Sequence, residues 1–167
     1  MEGHLMNKFE KNTLRFLLLF SIVSFLNLMR KPPVKDWMLI FLFKGYLSSI
    51  LDKLVVRKGY VSYPVKLFKS FDISFIFDYL LYPIACVYFN QATKSSNLFG
   101  ILIKSLFFSV PMALIEYFFE TRTSLIRFKK GWTSFTSFYS LTITFLISRT
   151  FIAIIRKLSN KPVQENS

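Results

Sequence analysis

Residues 98–119 read LFGILIKSLFFSVPMALIEYFF, twenty-two positions with only two charges, Lys104 and Glu116. As a helix the stretch rises roughly 33 Å at 1.5 Å per residue, the thickness of a bilayer's hydrocarbon core. Four more apolar stretches, 14–29, 37–56, 73–90 and 134–155, accompany it, and nearly all of the lysines and arginines lie between them. This layout predicts an all-α, polytopic helical membrane protein with about five transmembrane helices in a compact bundle over 14–155. A cytoplasmic N-terminal tail over 1–13 and a short polar C-terminal tail over 156–167 complete the expected organisation.

Composition agrees. The chain has 167 residues, 53% of them hydrophobic and 21 of them phenylalanine, more than one small soluble core needs, and the loops are too short for a second domain. The net charge of +13 is not gathered into a basic face or an RNA-binding signature, so it reads as a topology signal, with no nucleic-acid partner expected. Cys86 is the single cysteine and His4 the single histidine. An intramolecular disulfide and zinc clusters built from His and Cys are therefore excluded, and neither metal nor cofactor is expected. Lys8, Lys11 and Arg15 precede the first apolar run as in a secretory signal, but no small-x-small cleavage site follows, so an uncleaved first span is expected. At sixteen residues, 14–29 is short, and it would have to thin the bilayer or let Arg15 snorkel.

Charges within the spans are the candidate binding or polar-pathway residues, because each costs about 2.5–3.5 kcal/mol at mid-bilayer on the insertion scale. They are Lys44 and Asp52 in the second span, Asp78 in the third, Lys104 and Glu116 in the fourth and Arg149 in the fifth. Measured from the span midpoints, Lys44, Lys104 and Arg149 fall toward one side of the membrane, and Asp52, Asp78 and Glu116 toward the other. Lys44 is thereby free to meet Asp78 as a buried pair. Two readings stay open: inter-helix ion pairs that fix register, or the wall of a polar pathway or pocket.

Spacing within the spans suits close packing. Lys44, Ser48 and Asp52 share one helix face. Gly45 with Ser49, and Ser105 with Ser109 and Ala113, are small-xxx-small patterns, and Thr133, Ser137, Ser140, Thr144 and Ser148 form a hydroxyl stripe. Pro83 and Pro111 should kink their helices. The segment 60–71 (YVSYPVKLFKSF) reads either as an interfacial segment or as a solvated loop. Trp37 and Trp132 read as interfacial aromatics. No internal repeat is visible. No catalytic constellation is found either: no Ser-His arrangement, no H-E-x-x-H and no glycine-rich phosphate cradle among five isolated glycines.

The run 43–78 (FKGYLSSILDKLVVRKGYVSYPVKLFKSFDISFIFD), with Tyr79-Leu80-Leu81-Tyr82-Pro83, Val87-Tyr88-Phe89-Asn90-Gln91 and Lys129-Lys130-Gly131-Trp132-Thr133, resembles an uncharacterised family of small multi-spanning membrane proteins from spore-forming bacteria. The resemblance covers roughly Lys31 to Arg156 and implies residence in a bacterial cell membrane, with no functional residue to carry over. The expected role is a non-enzymatic component that assembles with other membrane proteins, with itself or with lipids, anionic lipids at the basic loops included. The runner-up is a small transporter or an ion- or proton-conducting protein that uses the buried charges.

With five spans, the N-terminal tail and the second and fourth loops share a side. That side carries 12 basic residues (Lys8, Lys11, Arg15, Lys53, Arg57, Lys58, Lys66, Lys69, Arg122, Arg127, Lys129 and Lys130). The other carries 7 (Arg30, Lys31, Lys35, Lys94, Arg156, Lys157 and Lys161), so the first side is expected to be cytoplasmic. Reporter fusions after Phe128 and Ser167 should report cytoplasm and exterior respectively. A cytoplasmic signal from both would mean an even number of crossings.

Overall fold

The computed structural model describes residues 8–68 and 74–160, so His4, Ile73 at the start of the third span, Lys69 to Phe71 and the tail beyond Asn160 lie outside the described residues. Helix α1 (Lys8–Met29) begins six positions before residue 14 and has 22 residues. Its charged first turn is helical, with Glu10 placed where the amino-terminal dipole favours an acid, and the expected shortfall in length disappears. Helix α2 (Val34–Arg57) follows Pro32-Pro33 and ends at Gly59, which has φ of 74°. There the Gly59 N–H donates to the Val56 carbonyl at 2.9 Å and the Tyr60 N–H to the Val55 carbonyl at 3.1 Å, a glycine-ended helix stop.

The third apolar stretch is not one regular helix. A turn of π-helix (Phe77–Leu81) leads into α3 (Tyr82–Ala92), only 11 residues long. Pro83 has no N–H and its ring crowds the carbonyl four residues earlier, so the kink expected at this proline is absorbed in the wide turn before it. Helix α4 (Leu98–Arg122) contains Pro111 and starts at Asn97, whose side chain accepts from the Gly100 N–H at 2.9 Å. Helix α5 (Ser134–Ser159) starts at Thr133, another side-chain cap. It runs past residue 155, so Arg156 and Lys157 belong to its last turn, where cations suit the helix dipole.

Successive helices reverse direction. At one end of the molecule the loops after α2 and α4 pair as a two-stranded antiparallel sheet of β1 (Val61–Ser62) and β2 (Arg127–Phe128), with Val61 opposite Phe128. The α1 amino-terminus is tied to the same end, because Glu10 Oε1 accepts from the Ser124 N–H at 2.7 Å. At the far end Arg156 in the last turn of α5 pairs with Asp36 in the first turn of α2 at 2.6 Å. Helix α3 is central and packs against the other four. One apolar cluster joins Trp37, Ile40, Val87, Phe89 and Phe145, and a second, beneath the sheet, joins Leu14, Val61, Tyr63, Phe119 and Ile126.

Over its described part the segment after α2 is not a solvated loop. Val61, Tyr63 and Val65 are buried in alternation and form the lid of the second cluster. Trp37 also departs from expectation. It is 1% exposed, with its Nε1 donating to the Lys31 carbonyl and the Arg156 guanidinium 5.7 Å from its ring, so it anchors the far end from within.

The faces of the helices are inverted relative to a soluble protein. Helix α4 buries Ser105, Ser109, Ala113 and Glu116 while Phe107, Leu114 and Phe118 stand exposed, and α2 buries Lys44 and Ser48 while Leu42, Tyr46 and Ile50 face outward. Three helices, α1, α4 and α5, are long and apolar enough to cross a membrane. Helix α2 has the length but carries Lys44, Asp52 and Lys53 within it, and α3 is too short by itself.

Small residues set the approach of the helices. A Cβ placed on Gly45 meets Pro83 Cγ at 3.7 Å, an ordinary contact. Gly45→Ala should therefore be tolerated in detergent thermal unfolding, with a gain of up to about 1 kcal/mol from helix propensity. Ser109→Leu, at a fully buried position on α4, should instead cost about 1–3 kcal/mol by overpacking.

Candidate functional site

Four of the six intraspan charges line one pocket of about 80 Å³, bordered on the sheet side by Tyr63, Phe128 and Trp132. Helix α2 supplies Lys44, Ser48 and Asp52 from successive turns, the π turn supplies Asp78, and α4 supplies Glu116. Helix α5 closes the wall with Ser137, Ser140 and Thr144. The wide turn has a local consequence. It puts Asp78, only 1% exposed, against the cavity at the point where regular helix geometry is interrupted.

Lys44 is 4% exposed and donates to Thr144 Oγ1 at 3.0 Å, with its amine 5.9 Å from the centre of the Tyr82 ring. Among the described residues it closes no ion pair on Asp78, although the two are near enough to feel each other's charge. Tyr63 donates from its hydroxyl to Asp52 Oδ1 at 2.8 Å, and Tyr82 donates to Glu116 Oε1. Burial, and next the charge of Asp52, hold the Tyr63 phenol well above its ordinary pKa, so it remains a proton donor. Asp52 and Asp78 interact directly as neighbouring carboxyls, with Lys66 also acting on Asp52. Three polar atoms in this wall are buried without a hydrogen-bond partner: Ser48 Oγ, Asp52 Oδ2 and Asp78 Oδ2. Polar atoms so placed are the natural contacts of a small polar or charged occupant.

The other two charges do not join the cavity. Lys104 donates to the Ala92 carbonyl at 2.7 Å and to Ser96 Oγ at 2.9 Å, and Arg149 donates to the Thr93 carbonyl at 3.2 Å. Both therefore satisfy the carbonyls at the carboxyl end of α3, where backbone acceptors lack helical partners and the dipole favours cations. Their job is to cap the exposed carboxyl end of a short helix. The hydroxyl stripe of α5 supplies inter-helix bonds, Thr144 accepting from Lys44 and Ser148 from Cys86 Sγ and Asn90 Nδ2, while Ser137 accepts locally from Trp132 Nε1. Cys86 is a buried free thiol held in that network.

Tyr63 and Tyr82 were not legible as site residues. A period-two signal at Val61, Tyr63 and Val65 marks the first as inward-facing, whereas Tyr82 carries no signal beyond its place before Pro83. Among the described residues no group of three or more His, Cys, Asp or Glu side chains is arranged to hold a metal ion. In comparison with known proteins, the chain matches no family model, no curated protein and no solved structure.

Because Lys44 and the carboxyls share one low-dielectric space, their removal should not be additive. Lys44→Ala should lower thermal stability in detergent by about 1–3 kcal/mol, leaving Thr144 without its donor and the acids without a nearby cation. Lys44→Ala combined with Asp78→Asn should cost at least about 0.5 kcal/mol less than the two single losses added together. Strict additivity would mean that the two groups do not interact.

Proposed function

We propose that this chain is a multi-pass membrane protein of the cell membrane, with five crossings and a cytoplasmic amino-terminus, whose bundle holds a cavity for a small monovalent cation, the proton included. Three helices of spanning length and an outward-facing apolar surface support membrane residence. Helix α2, and α3 with its π turn, supply the other two crossings, with Lys44 and Asp78 turned inward. The 12-to-7 distribution of basic residues supports a cytoplasmic location for the sheet end. The resemblance to small multi-spanning proteins of spore-forming bacteria belongs to the same proposal.

The observation that carries the cation reading is the charge balance around the cavity. Asp52, Asp78 and Glu116 come from three separate segments to one space, where Lys44 is the enclosed amine and Lys66 acts on Asp52 from the loop. One carboxyl is left in excess, and Asp52, Asp78 and Ser48, each with an unpartnered oxygen, line the same pocket. In a low-dielectric interior an unbalanced carboxylate is held only with a proton or a bound cation. The protein is then a small transporter or conducting protein. The runner-up, a component that assembles with other membrane proteins or lipids, is favoured by the network from Lys44, Cys86 and Asn90 to α5, which fixes helix register without any solute.

Reconstitution into sealed vesicles with proton, sodium and potassium flux assays separates the two readings. Flux of one of these cations, abolished by Asp78→Asn in protein that stays folded, is the expected result. Folded protein that passes none of them, and passes none with Asp78→Asn, favours the assembly reading.

A further inference from the structure

A second hollow lies on the flank of the bundle. Helices α1 and α4 each pack on α3, and between them the α3 face is left open as a groove of about 700 Å³. Its walls are apolar, with Leu17 and Phe20 from α1, Ile84 and Ala85 from α3, and Phe108 and Met112 from α4. From Phe77 to Ala92 it follows the π turn and α3 for roughly 22 Å at about 1.5 Å per residue, most of the depth of a hydrocarbon core. One end is basic. Lys31, from the turn between α1 and α2, and Lys94, from the turn after α3, both border it, beside the Gln91 amide. Neither lysine amine is paired with a carboxylate among the described residues.

We propose that this groove holds an acyl chain of an anionic phospholipid, with the phosphate headgroup between Lys31 and Lys94. The inference rests on the membrane reading above. Within a bilayer the surrounding chains are as apolar as the groove, so apolar contact alone does not select an occupant. Selection comes from the basic end, where each lysine near an anionic headgroup gives a preference of roughly fivefold. Two lysines therefore favour an anionic over a zwitterionic lipid by roughly 25-fold. The groove also touches the polar cavity's wall, since Tyr82 and Glu116, joined by their hydrogen bond, line both spaces. A bound chain lies against the outer side of that wall and shields Glu116 from bulk lipid motion.

The test is native mass spectrometry of the full chain in mild detergent, with phosphatidylglycerol and phosphatidylcholine of identical chains in competition. The expected result is retention of one phosphatidylglycerol with a preference of roughly 25-fold. That preference should collapse in the Lys31→Gln/Lys94→Gln variant and persist in Lys53→Gln/Lys129→Gln, which removes two exposed lysines at the opposite end. Circular dichroism checks that each variant is folded. Equal retention of the two lipids, or a preference that survives loss of Lys31 and Lys94, overturns the proposal. So does a preference lost equally in both double variants, which would be a general charge effect. Alkaline carbonate extraction of cell membranes reads the underlying reading separately. Protein released by carbonate sinks membrane residence, whereas protein retained in the membrane without lipid preference sinks only the groove assignment.

Discussion

An amine within a helix bundle needs partners, and Lys44 imposes that requirement on the rest of the molecule. It sits in the middle of α2 and is 4% exposed, so α2 is stable only where Thr144 from α5 accepts its proton and the acids of the π turn and α4 lie near. An isolated helix with Lys44, Asp52 and Lys53 is a poor occupant of hydrocarbon. The charges therefore bind α2 into the interior, and they do so through elements as distant in the chain as α5.

The same logic explains why Ser105, Ser109 and Thr144 lie inside while Phe99, Phe107 and Phe135 face outward. Without a hydrophobic drive between helices in lipid, contact depends on small side chains and on hydrogen bonds. Ser105 bonds back to the Leu102 carbonyl and Ser148 to the Phe145 carbonyl, so each hydroxyl is satisfied within its own helix and adds little bulk. Ser148 then also accepts from Cys86 and Asn90, which ties α5 to the central α3. The short helix α3 has its last carbonyls taken up by Lys104 and Arg149, reaching in from α4 and α5.

Two spaces thus share one partition. The polar cavity beneath the sheet and the apolar groove beside α3 meet at Tyr82 and Glu116, and Tyr82 also packs against both apolar clusters. The hydrogen bond between these side chains keeps a carboxyl at a boundary between polar and apolar surroundings. Such a position makes the pair sensitive to what fills either side.

Local composition determined a good deal. The apolar run 98–119 and its counterpart at 134–155 are helices because their lengths and sparse charges suit no other state, and the structure adds the caps at Asn97 and Thr133 that start them. The small-residue faces of α2 and α4 were legible from spacing, because helical period alone places Gly45 with Ser49, and Ser105 with Ser109. Tertiary structure decided which charges meet. Lys104 and Arg149 looked equivalent to Lys44 in sequence, yet they end α3 while Lys44 enters the cavity, because position relative to a neighbouring helix terminus is a relation between chain segments far apart. The π turn before Pro83 and the sheet joining the loops after α2 and α4 arise likewise from packing. The backbone of 61–62 and the Tyr60 carbonyl find their hydrogen-bond partners only once residues 127–129 arrive beside them.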